Sequence, residues 1–243
     1  MSPKKKNKKI NIKKKRRLKI LKWTGLIILI ITAITLFLLS DIFNVKEIKV
    51  IENNKITSEE IISLSGIKTN ENMFKFLKLK SIEKIKTNPY IEEVKIHRKL
   101  NGIIEIKVKE RVATYMLALE DEQFAYINNQ GYILEIAIEK IEKPLITGYS
   151  TEALEAGNRL NIEDLKKLNN IIKIIKAAEE KEISDKITTI DITNSQNIVI
   201  TMESEGKTIY FGDEKNINDK FVKLMAVLED TTRPKRRNIF KEY

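Results

Sequence analysis

The chain has 243 residues, no cysteine and one histidine, and its 45 Lys and Arg against 34 Asp and Glu give a formal charge of +11. Without cysteine there can be no disulfide, thiol catalysis or cysteine-ligated zinc. Nor is the charge that of a nucleic-acid domain, which would carry its basic surface on the folded part. Twelve of the positive side chains lie in residues 1–22, which hold no acid, leaving 33 basic against 34 acidic groups for the rest.

The first element is apolar. Trp23–Ser40 is an eighteen-residue stretch without a charge, close to the ~20 apolar residues that cross a bilayer as a helix. Trp23, Leu26, Ile30, Leu36 and Leu39 are its candidate anchor residues. Lys and Arg stay preferentially on the cytoplasmic side, so residues 1–22 read as a cytoplasmic arm and the bulk as extracytoplasmic. A cleavable signal peptide is the rival reading. Leu26–Leu39 is long for its apolar region, and Leu38-Leu39-Ser40-Asp41-Ile42-Phe43 offers no small-residue exit. The sequence therefore predicts an uncleaved, single-pass anchor.

From Asp41 the pattern becomes short strands and helices. Phe43–Ile51 reads as a strand whose apolar phase flips between Val45 and Ile48, predicting a twist or bulge. After a turn at Asn53-Asn54, Thr57-Ser58-Glu59-Glu60 is a capping box. The helix it opens buries Ile61, Ile62 and Leu64 and stops at Gly66. A second helix is expected over Ser81–Lys86, because Asn88 precedes Pro89 and is biased out of the α region. Two strands follow. Val94 and Ile96 alternate with Lys95, His97 and Lys99; beyond the turn at Asn101-Gly102, Ile104, Ile106 and Val108 alternate with Glu105, Lys107 and Lys109. That period of two marks a sheet with one buried face.

Past Arg111 a second block begins. Tyr115–Leu119 and Phe124–Ile127 are β-rich, and Asn128-Asn129-Gln130-Gly131 turns into Tyr132–Leu134. Asn161 can cap a helix with Leu165, Leu168, Ile172 and Ile175 on one face. Strands return at Ile187–Ile192, Ile198–Met202 and Thr208–Phe211. Asn216 or Asn218 can cap a last helix with Phe221, Leu224, Met225 and Leu228 inward. The tail Thr231–Tyr243 shows no clear period, and its aromatics Phe240 and Tyr243 have three readings: docking on the chain's own domain, disorder, or contact with a partner.

Enzymatic chemistry finds little support. His97, the one histidine, sits between Lys95 and Lys99 on the polar face of a strand, which suits a solvated imidazole better than a general base. One histidine and no cysteine leave no plausible zinc set. Adjacent acids such as Glu92-Glu93 and Glu179-Glu180 cannot face one another across a cleft as glycosidase carboxyls do. Phe211-Gly212-Asp213-Glu214-Lys215 lacks the spacing of a phosphate loop. No catalytic, metal or cofactor-binding residue, no small-molecule substrate and no nucleic-acid partner is expected.

Several segments together resemble the bacterial FtsQ/DivIB cell-division family. Phe43-x-Val45-x-x-Ile48-x-Val50-x-x-Asn53 resembles the opening strand of its POTRA domain, and Thr57–Ile61, Ser65-Gly66-Ile67 and Asn72-Met73-Phe74 the steps that follow. Asn88–Arg98 resembles the family's "P-x-I-x-x-V-x-V-x-R" strand and Ile104–Arg111 its "L-x-I-x-V-x-E-R". Further on, Ile127–Gly131, Pro144-Leu145-Ile146-Thr147-Gly148, Ile190-Asp191-Ile192 and Phe211-Gly212 resemble its looser second-domain motifs. Asn101 and Val112-Ala113 replace prolines usual there, and Thr231–Tyr243 lacks the family's usual final strand.

The resemblance implies an α+β protein. It would have a single transmembrane helix (23–40), a β-α-α-β-β POTRA-like domain (43–111), a mostly antiparallel β domain with flanking helices (112–229) and a tail (230–243). It implies a non-enzymatic divisome scaffold at the septum that binds FtsL and FtsB/DivIC-type bitopic proteins. A membrane-anchored wall hydrolase or wall-binding module is the competing reading. Ile198, Ile200, Thr208, Tyr210, Phe240 and Tyr243 are the candidate partner contacts, because exposed late strands can pair with an extended segment.

Overall fold

A computed structural model describes residues 3–119, 122–150 and 154–229, the first thirteen of these and Glu229 by backbone alone. Helix α1 spans Pro3–Leu38. Its Arg16–Leu38 portion is long and apolar enough to cross a membrane, with mean hydropathy 2.2 and none of it buried. The threonine hydroxyls in its apolar half are satisfied within the helix. Thr24, Thr32 and Thr35 donate their hydroxyls back to the carbonyls of Leu21, Ile28 and Ile31 at 3.0, 2.9 and 2.8 Å. A helix in lipid needs this, since no water is there to take the bond.

The chain divides into two compact units, Met1–Ile85 with Val94–Val108 and Lys86–Glu93 with Lys109–Tyr243. In the first, a single 3-10 turn at Asp41–Phe43 leads to β1 (Glu47–Ile51), α2 (Ser58–Ser65), α3 (Lys78–Ile85) and most of β2 (Ile91–Lys99) and β3 (Ile103–Glu110). The sheet order is β1-β3-β2, with β1 parallel to β3. The N-cap half of the expected capping box forms: Thr57 Oγ1 accepts from the Glu60 amide at 3.2 Å, and Gly66 closes α2 at φ +65°. Ile61, Met73, Ile85, Ile96, Ile104 and Ile106 fill the core.

Two expectations shift. Helix α3 begins at Lys78 rather than Ser81, and Ser81 is buried inside it. The opening strand begins at Glu47 rather than Phe43, because the backbone changes partner at the predicted phase break. Val45 bonds to the Glu71 carbonyl and the Asn70 amide, whereas Lys46 bonds to Gly102.

The second unit holds β4 (Tyr115–Ala118), β5 (Phe124–Ile127), β6 (Ile133–Ala137), β7 (Leu145–Thr147), α4 (Ile162–Glu179), β8 (Thr189–Asp191), β9 (Ile198–Met202), β10 (Lys207–Gly212) and α5 (Ile217–Glu229). They form one sheet, β10-β9-β8-β7-β4-β5-β6. It is antiparallel except where β7 joins its two halves, pairing in parallel with β4 and β8. The core joins the inward rows of the sheet to Leu168, Ile171 and Ile174 of α4 and Phe221 and Leu224 of α5. The Asn161 side chain caps α4, accepting from the Asp164 amide at 2.8 Å. The buried face of α4 is centred on Leu168, Ile171, Ile174 and Ile175, leaving the expected Leu165 and Ile172 at its margin.

Four tyrosines of this unit, Tyr90, Tyr115, Tyr126 and Tyr149, have hydroxyls raised above the ordinary value, chiefly by burial. Burial, with Glu179 nearby, pushes the Tyr115 hydroxyl up to about 12, and burial with the Asp164 charge pushes Tyr149 up as well. Folding thus favours the neutral phenols. Their contribution is whole below pH ~10, where an unfolded tyrosine is still protonated, and is lost as pH rises from ~10 towards 12. We expect the urea midpoint to fall between pH 9 and 11.5, less so in Tyr115→Phe. A midpoint that stays level in the wild type would contradict this.

Candidate interaction site

Strand β10 is an edge of the seven-stranded sheet and pairs among the described residues only with β9. An edge presents unpaired main-chain N–H and C=O groups, and natural proteins cover it or use it. The alternation along β10 is strict. Ile209 and Phe211 are fully buried, Phe211 packing on Phe221 with ring centroids 5.3 Å apart. Thr208 and Tyr210 are exposed on the other face. Their cross-strand partners on β9 are Thr201 and Val199, which are half-buried on that same face.

The strand is held at both ends. Beyond its last residue, Lys220 of α5 donates to the Asp213 carbonyl at 2.8 Å and to its carboxylate at 2.9 Å, and its ammonium lies 5.1 Å from the Phe211 ring centre. The Lys220 bond holds the Asp213 carboxyl below its ordinary range. At the hairpin before β10, Glu205 pairs with Lys186 at 2.7 Å, which lowers the carboxyl and raises the amine. Gly212, at φ +76°, sits at a register shift that ends the pairing. The edge is therefore fixed before anything binds it.

The expected contacts divide. Thr208 and Tyr210 point outward, as required. Ile198 and Ile200 do not: both are fully buried, on a strand paired on each side by β8 and β10. That corrects their assignment as contact residues in this fold. The outward residues of β9 are Val199 and Thr201, which the sequence reading missed although Thr201, the one polar residue of Ile198–Met202, marks that phase. Phe240 and Tyr243 lie outside the described residues. The anchor residues Trp23, Leu26, Ile30 and Leu36 are exposed on α1, and Leu39, also exposed, follows its last residue. His97 is exposed on β2.

Residues 43–111 match the family model described as POTRA domain, FtsQ-type, and residues 116–242 match FtsQ/DivIB, C-terminal related. The chain belongs to the FtsQ/DivIB family. A relative named cell division protein DivIB, from Clostridium botulinum strain Loch Maree, is 35% identical over 227 residues, covering 90% of this chain and 86% of its own. Another DivIB, from Clostridium tetani, is 31% identical over 205 residues, 83% of this chain and 76% of its own. A cell division protein FtsQ from Syntrophotalea carbinolica is 24% identical over 191 residues, 77% of this chain and 66% of its own. The second family match extends to residue 242. The relatives are named cell division proteins, and this chain's apolar N-terminal helix suits membrane anchoring.

Proposed function

We propose that the chain is a non-enzymatic scaffold of the divisome. The arm 1–22 stays in the cytoplasm, 23–40 spans the membrane, and the POTRA domain (43–111), β domain (112–229) and tail (230–243) lie outside, concentrated at the septum. There it holds FtsL and FtsB/DivIC-type bitopic partners and helps coordinate septal peptidoglycan synthesis. The observation that carries the reading is the fixed, outward-facing edge at β10. An extended partner segment adds to such an edge through main-chain hydrogen bonds, and the outward side chains, here Thr208 and Tyr210, select it. The outer strands β1 and β2 of the smaller sheet offer further edges. Confinement to one bilayer raises the partners' local concentration.

The test is binding to purified FtsL and FtsB/DivIC-type proteins. Thr208→Asp combined with Tyr210→Asp should weaken capture about tenfold or more, roughly 1.4 kcal/mol or above. Both residues are exposed, so the melting temperature should hold. Undiminished capture refutes the β10 edge as the site. Peptidoglycan cleavage by the purified chain, abolished by changing one carboxylate, would refute the scaffold and favour a wall hydrolase.

A further inference from the structure

The end of the first unit nearest α1 carries large apolar side chains in the open. Ile42, Leu77 and Leu100 are 66, 61 and 77% exposed, and Phe74 is 37% exposed. Lone exposed leucines are ordinary, but a group at one place needs a reason. The segments that carry these four are tied to one another and to α1 by the fold. The Asn72 amide donates to the carbonyls of Leu38 and Ser40 at 2.9 and 3.0 Å, closing the end of α1, while its oxygen accepts from the Phe74 amide. The Phe43 ring meets Phe37 of α1 and Phe74 edge-on, with centroids 5.3 and 5.4 Å apart. The turn carrying Leu100 is joined to the same place through the Lys46 amide on the Gly102 carbonyl. Arg98 braces the loop, donating to the Phe76 carbonyl with its guanidinium 4.4 Å from the Phe76 ring centre.

The length of the span says where this end lies. The helical residues Trp23–Leu38, at 1.5 Å each, cover ~24 Å against a hydrocarbon core of ~30 Å. The helix thus ends short of the boundary, which Leu39–Ile42 must reach. The loop cannot swing away, because Asn72 fixes it to the helix exit. Lysines outnumber acids along it: Lys75, Lys78 and Lys80 lie between the flanking Glu71 and Glu83, and Asp41 stands beside Ile42.

We propose that this end is a lipid-binding surface. Ile42, Phe74, Leu77 and Leu100 enter the boundary between headgroups and acyl chains in the leaflet on the folded side. Lys75 and Lys78 rest on anionic headgroups, their stems along the apolar residues and their ammonium groups outward. The surface completes the hydrophobic match of a short span and holds the first unit in one orientation at the bilayer.

The proposal requires that α1 span the bilayer, and the single tryptophan, Trp23, tests that separately. The full chain is reconstituted into phosphatidylcholine vesicles containing one brominated acyl chain, with or without phosphatidylglycerol. In the wild type, Trp23 fluorescence reports α1. Leu77→Trp in a Trp23→Phe background reports the surface, and Glu59→Trp in that background, at the start of α2 beyond β1, is the control. We expect the indole at position 77 to be quenched at least about half as strongly as Trp23, and the one at position 59 hardly at all. Lys75→Glu with Lys78→Glu should cut the quenching at position 77 about twofold in phosphatidylglycerol vesicles. Quenching at Trp23 but not at position 77 overturns the surface while leaving the anchor. Equal quenching at positions 59 and 77 overturns it too, and an unquenched Trp23 overturns the anchor and the surface together.

Discussion

Gly148→Ala is expected to destabilise the second unit by about 4 kcal/mol, enough to abolish a cooperative unfolding transition in a marginal domain. The cause is a collision with main chain. Gly148 has φ +91°, and a methyl group built there would lie 2.2 Å from the Thr193 nitrogen and 2.6 Å from its α-carbon. Backbone cannot rotate aside as a side-chain end can. Thr193 follows Ile192, whose amide bonds to the Thr147 carbonyl at 3.0 Å, and Thr147 pairs with Asp191 in the β7–β8 ladder. Moving either chain breaks the two parallel pairings that join the halves of the sheet. Gly157 provides the control. It has nearly the same dihedral, φ +93°, but the nearest atom to an added methyl group is 3.7 Å away. Gly157→Ala should therefore cost only the positive-φ strain, about 1 kcal/mol. Urea unfolding of both variants measures the difference; equal losses would show that the close approach at Gly148 relaxes freely.

Pro144–Gly148 was recognisable as a family-like segment, yet nothing in it announced a strand. Strand β7 has three residues and buries only Ile146, and its neighbours are non-local, so no period exists to detect. Features with local causes were legible. Thr57 and Glu60 predict a cap because both partners lie within one turn, and Asn161 caps α4 for the same reason. The alternations of β2 and β3 followed directly from their residues. In β9 the alternation is visible, yet the candidate contacts Ile198 and Ile200 are fully buried, while Val199 and Thr201 hold the outward face. Asn72 was quoted only as part of a motif. Its two bonds reach back to Leu38 and Ser40, more than thirty positions away, and no sequence period carries that information.

Arg111 joins both lessons, since its motif was plain and its work was not. Its main-chain amide donates to the Tyr90 carbonyl at 2.7 Å. One guanidinium nitrogen donates to the carbonyls of Pro89 and Ile91, at 2.8 and 2.7 Å, while the group lies 4.2 Å from the Tyr132 ring centre. Nearby, the Tyr90 hydroxyl donates to Glu135 at 2.6 Å. A flat cation that stacks on a ring while donating in its own plane fits this place, and a lysine cannot do both. Removing it strands two carbonyls and one aromatic face.

We expect Arg111→Ala to lower the unfolding free energy by about 3 kcal/mol, and Arg111→Lys by about half as much because one carbonyl can still be reached. The exposed Lys109–Glu92 pair, 2.9 Å apart, is the contrast. Solvent screens it, so Lys109→Ala should leave the urea midpoint nearly unmoved. The same variants bear on function. Arg111 touches neither Thr208 nor Tyr210, and distant sites without shared partners act additively. Below its melting temperature, Arg111→Ala should therefore capture FtsL and FtsB/DivIC-type proteins as the wild type does, while the Thr208 and Tyr210 variants lose capture and keep their stability. Loss of capture in fully folded Arg111→Ala would place the recognition surface away from β10, in the segment that Arg111 holds.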